Sequence, residues 1–262
     1  AASLSMPLAI GGQGGPRGAQ VIQARPQGQQ RGGGQQPVAD VEDERPHPRH
    51  GVLRRPGADR RDRIQQARQR DETGVAAEAG TQLGIARWRL GDLAGAEQVL
   101  KQARADYARV DNPHGEAWVD QNLANAYVDS NPGRARETYQ RALAGYQAIG
   151  DRNGEAAIYS DLGIMLWNAG DHDGTQTAIR KSLAIRRETA DLVGQAWNLA
   201  ALASVETDSA ASKEAANDYR AAVALDEQAG ERVHRAFTLM QYSDLQRLRG
   251  DLQAANTLCA QA

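Results

Sequence analysis

Residues 159–189 read YSDLGIMLWNAGDHDGTQTAIRKSLAIRRET, and this stretch decides the fold. Its first half, through Trp167, spaces apolar residues as a helix does, and so does its second half from Thr175. Gly170-Asp171 stands between them. Glycine suits the left-handed position just past a helix end, and aspartate suits the cap of the next helix. The segment predicts two antiparallel helices joined by a tight turn. Gly163, Thr175 and Ser182 are small enough to let the two axes approach, with Ile179 filling the space beside them.

The same arrangement recurs in both directions along the chain. Counted from the first residue of each pair, Leu83-Gly84, Leu123-Ala124, Leu162-Gly163, Leu202-Ala203 and Tyr242-Ser243 are 40, 39, 40 and 40 residues apart. Thirteen residues after these anchors, twelve in the second unit, stand Ala96, Ala135, Thr175, Ala215 and Ala255. Four residues further come Leu100, Tyr139, Ile179, Tyr219 and Cys259, and three beyond those come Ala103, Ala142, Ser182, Ala222 and Ala262. Cys259, holding a packing position, is expected to be a buried small hydrophobe. Turn signals recur as well, at Gly91-Asp92, Asn131-Pro132 and Gly250-Asp251. The fourth unit has VETDSAASKEA there, where Asp208, Ser209 or Ser212 would cap. The expectation is an all-α chain of units at about 75–114, 115–153, 154–193 and 194–233, with a partial unit at 234–262.

This pattern resembles the tetratricopeptide (TPR) repeat family, whose unit places Leu-Gly in its first helix and small, large, small residues in its second. The likeness covers residues 73–262. The unit is 40 residues instead of the usual 34, as in kinesin-light-chain-like proteins and large bacterial signalling regulators. Gly80, Asp120, Tyr159, Leu199 and Leu239 stand where the family carries an early tryptophan. The resemblance implies a right-handed α-solenoid whose first helices line a concave groove that binds peptides or protein surfaces.

It also implies which side chains face that groove: those five and two residues before each anchor, and two and five after it. The candidates are Trp88, Trp118, Gln121, Asn125, Ser160, Trp167, Trp197, Ser204 and Phe237. All four tryptophans of the chain are among them. They alternate, Trp88 to Trp167 and Trp118 to Trp197 each spanning 79 residues, with LGIARW matching LGIMLW and GEAW matching GQAW. A two-repeat period is the reading, with rigid aromatics as interface anchors. Packing between neighbouring first helices is the other role open to each indole. Gln121 and Asn125, one turn apart, could clamp a peptide backbone or simply be solvated.

Residues 1–72 differ in character. They hold 12 Arg, no Lys and 8 acidic residues, a net +4, whereas the other 190 residues sum to −6. Stretches such as RPQGQQRGGGQQP (25–37) offer too little apolar surface to offset the entropy of ordering. This part is expected to be a low-complexity, disordered segment, with helix-forming residues only from about Arg60. A flexible linker is the reading adopted, and translation out of frame from GC-rich DNA stays open. Nucleic-acid binding through Arg17, Arg31 and the arginine pairs at 54–55 and 60–61 is disfavoured, since stacking aromatics are missing and Glu42, Asp43 and Glu44 interrupt the charge.

Several function classes drop out. One cysteine forms no internal disulfide. No apolar run approaches membrane-span length, and AASLSMPLAI (1–10) lacks the basic start of a signal peptide, so a cytoplasmic protein is expected. No phosphate-binding loop, dinucleotide fingerprint or nucleophile elbow is present, and His114, His172 and His234 fall in different repeats. No metal, cofactor or catalytic group is expected. The reading is a non-catalytic scaffold for a protein or peptide. The alternative is the sensor or docking region of a larger bacterial signalling protein, a serine/threonine kinase or transcriptional regulator. The ragged last unit invites self-association.

Overall fold

The computed structural model describes residues 56–208 and 212–262. These form ten helices and, among the described residues, no strand: α1 (Pro56–Arg89), α2 (Leu93–Arg109), α3 (Pro113–Tyr127), α4 (Pro132–Ala148), α5 (Arg152–Asn168), α6 (His172–Glu188), α7 (Leu192–Asp208), α8 (Ser212–Ala229), α9 (Arg232–Leu248) and α10 (Leu252–Gln261). Within the larger of two compact units, Gln69–Ala262 carries the helix pairs. The described part of the smaller unit is the opening of α1, from Pro56 to Arg68. The expectation for residues 1–55 lies outside the described residues, and residue 72 falls inside α1.

Each even-numbered helix from α4 onward packs on the helix before it, and α2, α4, α6 and α8 each pack on the helix after them. α3 also meets α5, and α7 meets α9. Contacts that stay between near neighbours define an all-helical solenoid, so stability is built up junction by junction.

The turns follow the chemistry of their residues. Asp92, Asn112, Asn131, Asp151, Asp171 and Asp251 each cap the next helix, accepting a hydrogen bond from the backbone N–H three residues on. These caps, with Asp191 doing the same for Gly194, start the first helices at 113, 152 and 192, two residues ahead of the expected unit boundaries. Gly170 takes φ +77° just past α5, as its place required. The turn between α5 and α6 thus has the geometry expected of Gly170-Asp171. Ala190 fills the equivalent place after α6 at φ 54°, a position the sequence reading passed over. The turn at 209–211 and the side chains of Asp208 and Ser212 lie outside the described residues, and with them the expected caps.

The small and large registers are the core. Ala96, Ala135, Ala215 and Ala255 are buried, as are Leu100, Tyr139, Ile179 and Tyr219. A Cβ on Gly84 would lie 2.5 Å from Leu100, and one on Gly163 would lie 2.6 Å from Ile179. Where the second helix carries tyrosine instead, the first helix has Ala124 or Ala203. Cys259 corrects the expectation: it is exposed, because among the described residues α10 packs on α9 alone, and its Sγ lies 3.1 Å from Ser243 Oγ.

Candidate functional site

The two-repeat period has a packing cause. In the first and third units the large residue is Leu100 or Ile179, and the residue two after the anchor is Ile85 or Ile164. In the second and fourth it is Tyr139 or Tyr219, whose hydroxyls bond Asn125 Oδ1 and Ser204 Oγ at that same place. A ring long enough to cross the pair brings a hydroxyl that needs a polar partner. The pairs therefore differ in kind, Leu-Gly-Ile with tryptophan at the helix end and Leu-Ala-polar with tryptophan at the helix start.

The polar half of the expected groove is occupied inside the molecule, Gln121 and Ser160 joining repeats and Asn125 and Ser204 bonding within their own. Gln121 is buried, donating from Nε2 to Asp161 Oδ2 at 2.7 Å and accepting at Oε1 from Tyr146 Oη at 3.1 Å. Its amide is consumed inside the molecule, which corrects its reading as a backbone clamp. Asn125 is tied to Tyr139 in the same layer. Ser160 donates to Asn198 Oδ1 at 2.9 Å, Asn198 donates from Nδ2 to Ser182 Oγ at 2.7 Å, and Ser182 donates to the Ala156 carbonyl at 2.7 Å. Ser204 accepts from Tyr219 while donating to the Ala200 carbonyl at 3.1 Å. The Gln121–Asp161 and Ser160–Asn198 bonds run in series from α3 to α5 to α7 and fix the spacing of these first helices.

Asp161 lies at the centre of this layer. Burial pushes its carboxyl up to about 6 against the pull of the Gln121 bond and of the Arg186 charge. Arg186 itself pairs with Asp191 at 3.1 Å and donates from Nε to Ser182 Oγ at 3.2 Å.

The aromatic half stays partly accessible. Trp88, Trp118, Trp167, Trp197 and Phe237 are all half-buried. Trp118 packs against the first of two apolar clusters. Trp167 meets His172 edge-on at 5.0 Å between ring centroids. Trp197 lies over His234, with centroids 3.8 Å apart and planes 31° apart. This last contact gives Trp197 the packing role between α7 and α9 as well as an exposed face.

The half-buried stripe on α3, α5 and α7 falls five and one residues before the anchor and two and five after it. The one buried member is Asp161. At the position two before, where the groove was expected, Thr81, Gln121 and Ala200 are buried, whereas Ser160 is half-buried and Met240 exposed. In α3 and α7 this position is turned inward, whereas in α5 it is Asp161, one residue on, that is turned inward.

Two arrangements escaped the sequence reading. Asp120, nearly inaccessible, is gripped by Arg104 from the preceding repeat and by Arg141 from its own, at 3.1 and 2.8 Å. The second is a junction register: Tyr107 lies on Gly115 and Tyr146 on Gly154, each pair eight residues apart. In the last two junctions the same places hold Arg186 with Gly194 and Asp226 with His234. His234 Nδ1 lies 2.7 and 2.9 Å from the two Asp226 carboxylate oxygens. The eight-residue interval of tyrosine and glycine was the available signal. Among the described residues no three His, Cys, Asp or Glu side chains cluster as metal ligands would, and no helix is long and apolar enough to cross a membrane.

Known structures share this architecture. BtubC (BKLC) from P. vanneervenii superposes with TM-score 0.62 at 17% identity, over 80% of this chain and 89% of its own. A Podosopora anserina protein of nearly identical TPR-like repeats, which its name assigns to the kinesin light chains, gives 0.55 at 17% identity, over 70% and 92%. The fold is that of the TPR-like repeat proteins. The aspartyl phosphate phosphatase F of Bacillus subtilis superposes with TM-score 0.64 at 10% identity over 77% of this TPR-like chain, which spans only 53% of the phosphatase. In sequence, neither a family model nor a curated protein matches.

Proposed function

We propose that this TPR-like array is a non-catalytic scaffold that holds a protein or peptide segment against the half-buried face of its first helices. The observation behind the reading is the division of labour just described: the polar side chains are bonded inside the molecule, Gln121 and Ser160 from repeat to repeat, while the indoles stay partly open. A half-open indole on a rigid helix offers large contact area at little entropic cost. A linear stack supplies the preformed surface that such anchors need.

Trp167 is the residue to test, because among the described residues its ring contact is with the exposed His172. Cross-linking of the full chain in its source cells, followed by mass spectrometry, should place a protein partner on α3, α5 and α7. Trp167→Ala should remove those cross-links and leave helical content unchanged. Cross-links confined to the even-numbered helices would sink the reading. We further propose that the array serves as the docking region of a larger cytoplasmic signalling protein of bacterial origin. The 40-residue unit and the preference for arginine over lysine support that reading. Genomic sequence adjoining the coding region that lacks any kinase or DNA-binding domain would count against it.

A further inference from the structure

We infer that the ligand of this face is an uncharged, apolar peptide segment with two large side chains about six residues apart; the inference rests on the scaffold reading and narrows it. The chain as a whole is 24% charged. Across the stripe positions of α3, α5 and α7 there is one ionisable residue, Asp161, and it is buried and bonded to Gln121. Charge returns only on the flanking helices, at Glu78 on α1 and at Asp244 and Arg247 on α9, and the last two pair with each other.

An uncharged, partly dry surface has nothing to offer a ligand charge in exchange for its water. It discriminates against acidic and basic segments and favours apolar ones. The indoles set the spacing. Trp118 and Trp197 both lie near the starts of their helices, α3 and α7, with α5 between them. Hydrogen bonds link α3 to α5 and α5 to α7, so the three axes lie side by side. Two steps between first helices that meet through side chains, each at the long end of the 8–10 Å range for packed helices, place these indoles roughly 20 Å apart. An extended peptide covers that distance in about six residues. Ile164 and Trp167, on α5, form the apolar floor along which it would run.

The test is selection of random dodecapeptides displayed on phage against the full chain, followed by binding measurements on the enriched peptides. Enriched sequences should lack charge at their centre and carry two aromatic or long aliphatic residues five to seven positions apart. Trp118→Ala and Trp167→Ala should each weaken the best peptide at least tenfold, and a central Asp or Lys in that peptide should do the same. Trp167→Ala keeps the test valid if Trp118→Ala fails to fold. Enrichment of acidic or basic motifs, or binding indifferent to both substitutions, overturns the inference while leaving the scaffold reading in place. No enrichment at all overturns it too. The scaffold reading falls only if cross-linking also finds no partner on this face.

Discussion

The ring of Tyr146 lies directly on the backbone of Gly154, so that a Cβ added there would stand 2.3 Å from Cδ1. This contact joins the second repeat to the third, and the Tyr146 hydroxyl reaches on to Gln121. Gly154→Ala forces the ring out of a packed junction, which should cost roughly 3 kcal/mol. Gly133→Ala is the control: an added Cβ meets only Asn131 Oδ1, at 3.7 Å. Urea unfolding should show the first variant strongly destabilised and the second equal to the parent or slightly above it.

Tyr139 and Asn125 should behave as a coupled pair. Tyr139→Phe leaves a half-buried amide oxygen without its donor, at a cost of about 1–2 kcal/mol. Asn125→Ile copies the residue that the first and third units carry at this place, Ile85 and Ile164. The double variant should recover part of the loss, giving a coupling energy near 1 kcal/mol in a double-mutant cycle. Strict additivity would show that the hydroxyl contributes nothing to the difference between the two kinds of unit.

Asp161 makes stability depend on pH in a definite direction. Its folded-state pKa, about 6, lies above the ordinary 3.8, so the native protein binds the proton more tightly than the unfolded chain does. Its contribution to stability is then largest below pH 4, falls as pH rises from about 4 to 6, and levels off above that window. The total change is on the order of 3 kcal/mol at 1.36 kcal/mol per unit. Asp161→Asn keeps an acceptor for Gln121 and should flatten this part of the profile, raising stability at pH 7.5 by about 1–3 kcal/mol. Chemical unfolding across pH 4–8 measures it. An unchanged slope in the variant would assign the dependence to another group.

Ala190 holds φ 54° in a turn where the second and fourth units place Gly150 and Gly230, and the first unit Asp111 at φ 58°. A side chain in that region costs roughly 1 kcal/mol. Ala190→Gly should therefore stabilise the chain modestly, against the usual cost of introducing glycine. A midpoint shift in urea unfolding reads the sign directly.

What could be read from the sequence divides along the same physical line as what holds the molecule together. Asp171 and Gly170 act within a few residues of themselves, so their chemistry fixes a turn wherever the chain lies. Gly163 against Ile179 is also local, since both belong to one helix pair. Gln121 was misread because its fate depends on the rotation of α3 against α5, forty residues away, which decides whether that position meets solvent or Asp161. Arg104 on Asp120 is of the same kind. The indoles were legible as a set through their 79-residue period. Their separate packing partners were not, because each depends on a neighbouring repeat.

Those partners predict an order among the tryptophans. Trp197 covers His234, whose Nδ1 is bound to the buried carboxylate of Asp226. Removing that indole opens a cavity and admits water to a polar pair on which the fourth and fifth repeats close. Trp197→Ala should cost about 3–5 kcal/mol, the range for a large aromatic lost from a packed site. Trp118 leans on an apolar cluster at one edge and should cost less. Trp167, set against an exposed histidine at a turn, should cost least, near 1 kcal/mol. Thermal unfolding of the three alanine variants ranks them. Should Trp167→Ala prove the most damaging, the indole of α5 is part of the core, and the open face on which ligand binding has been placed does not exist.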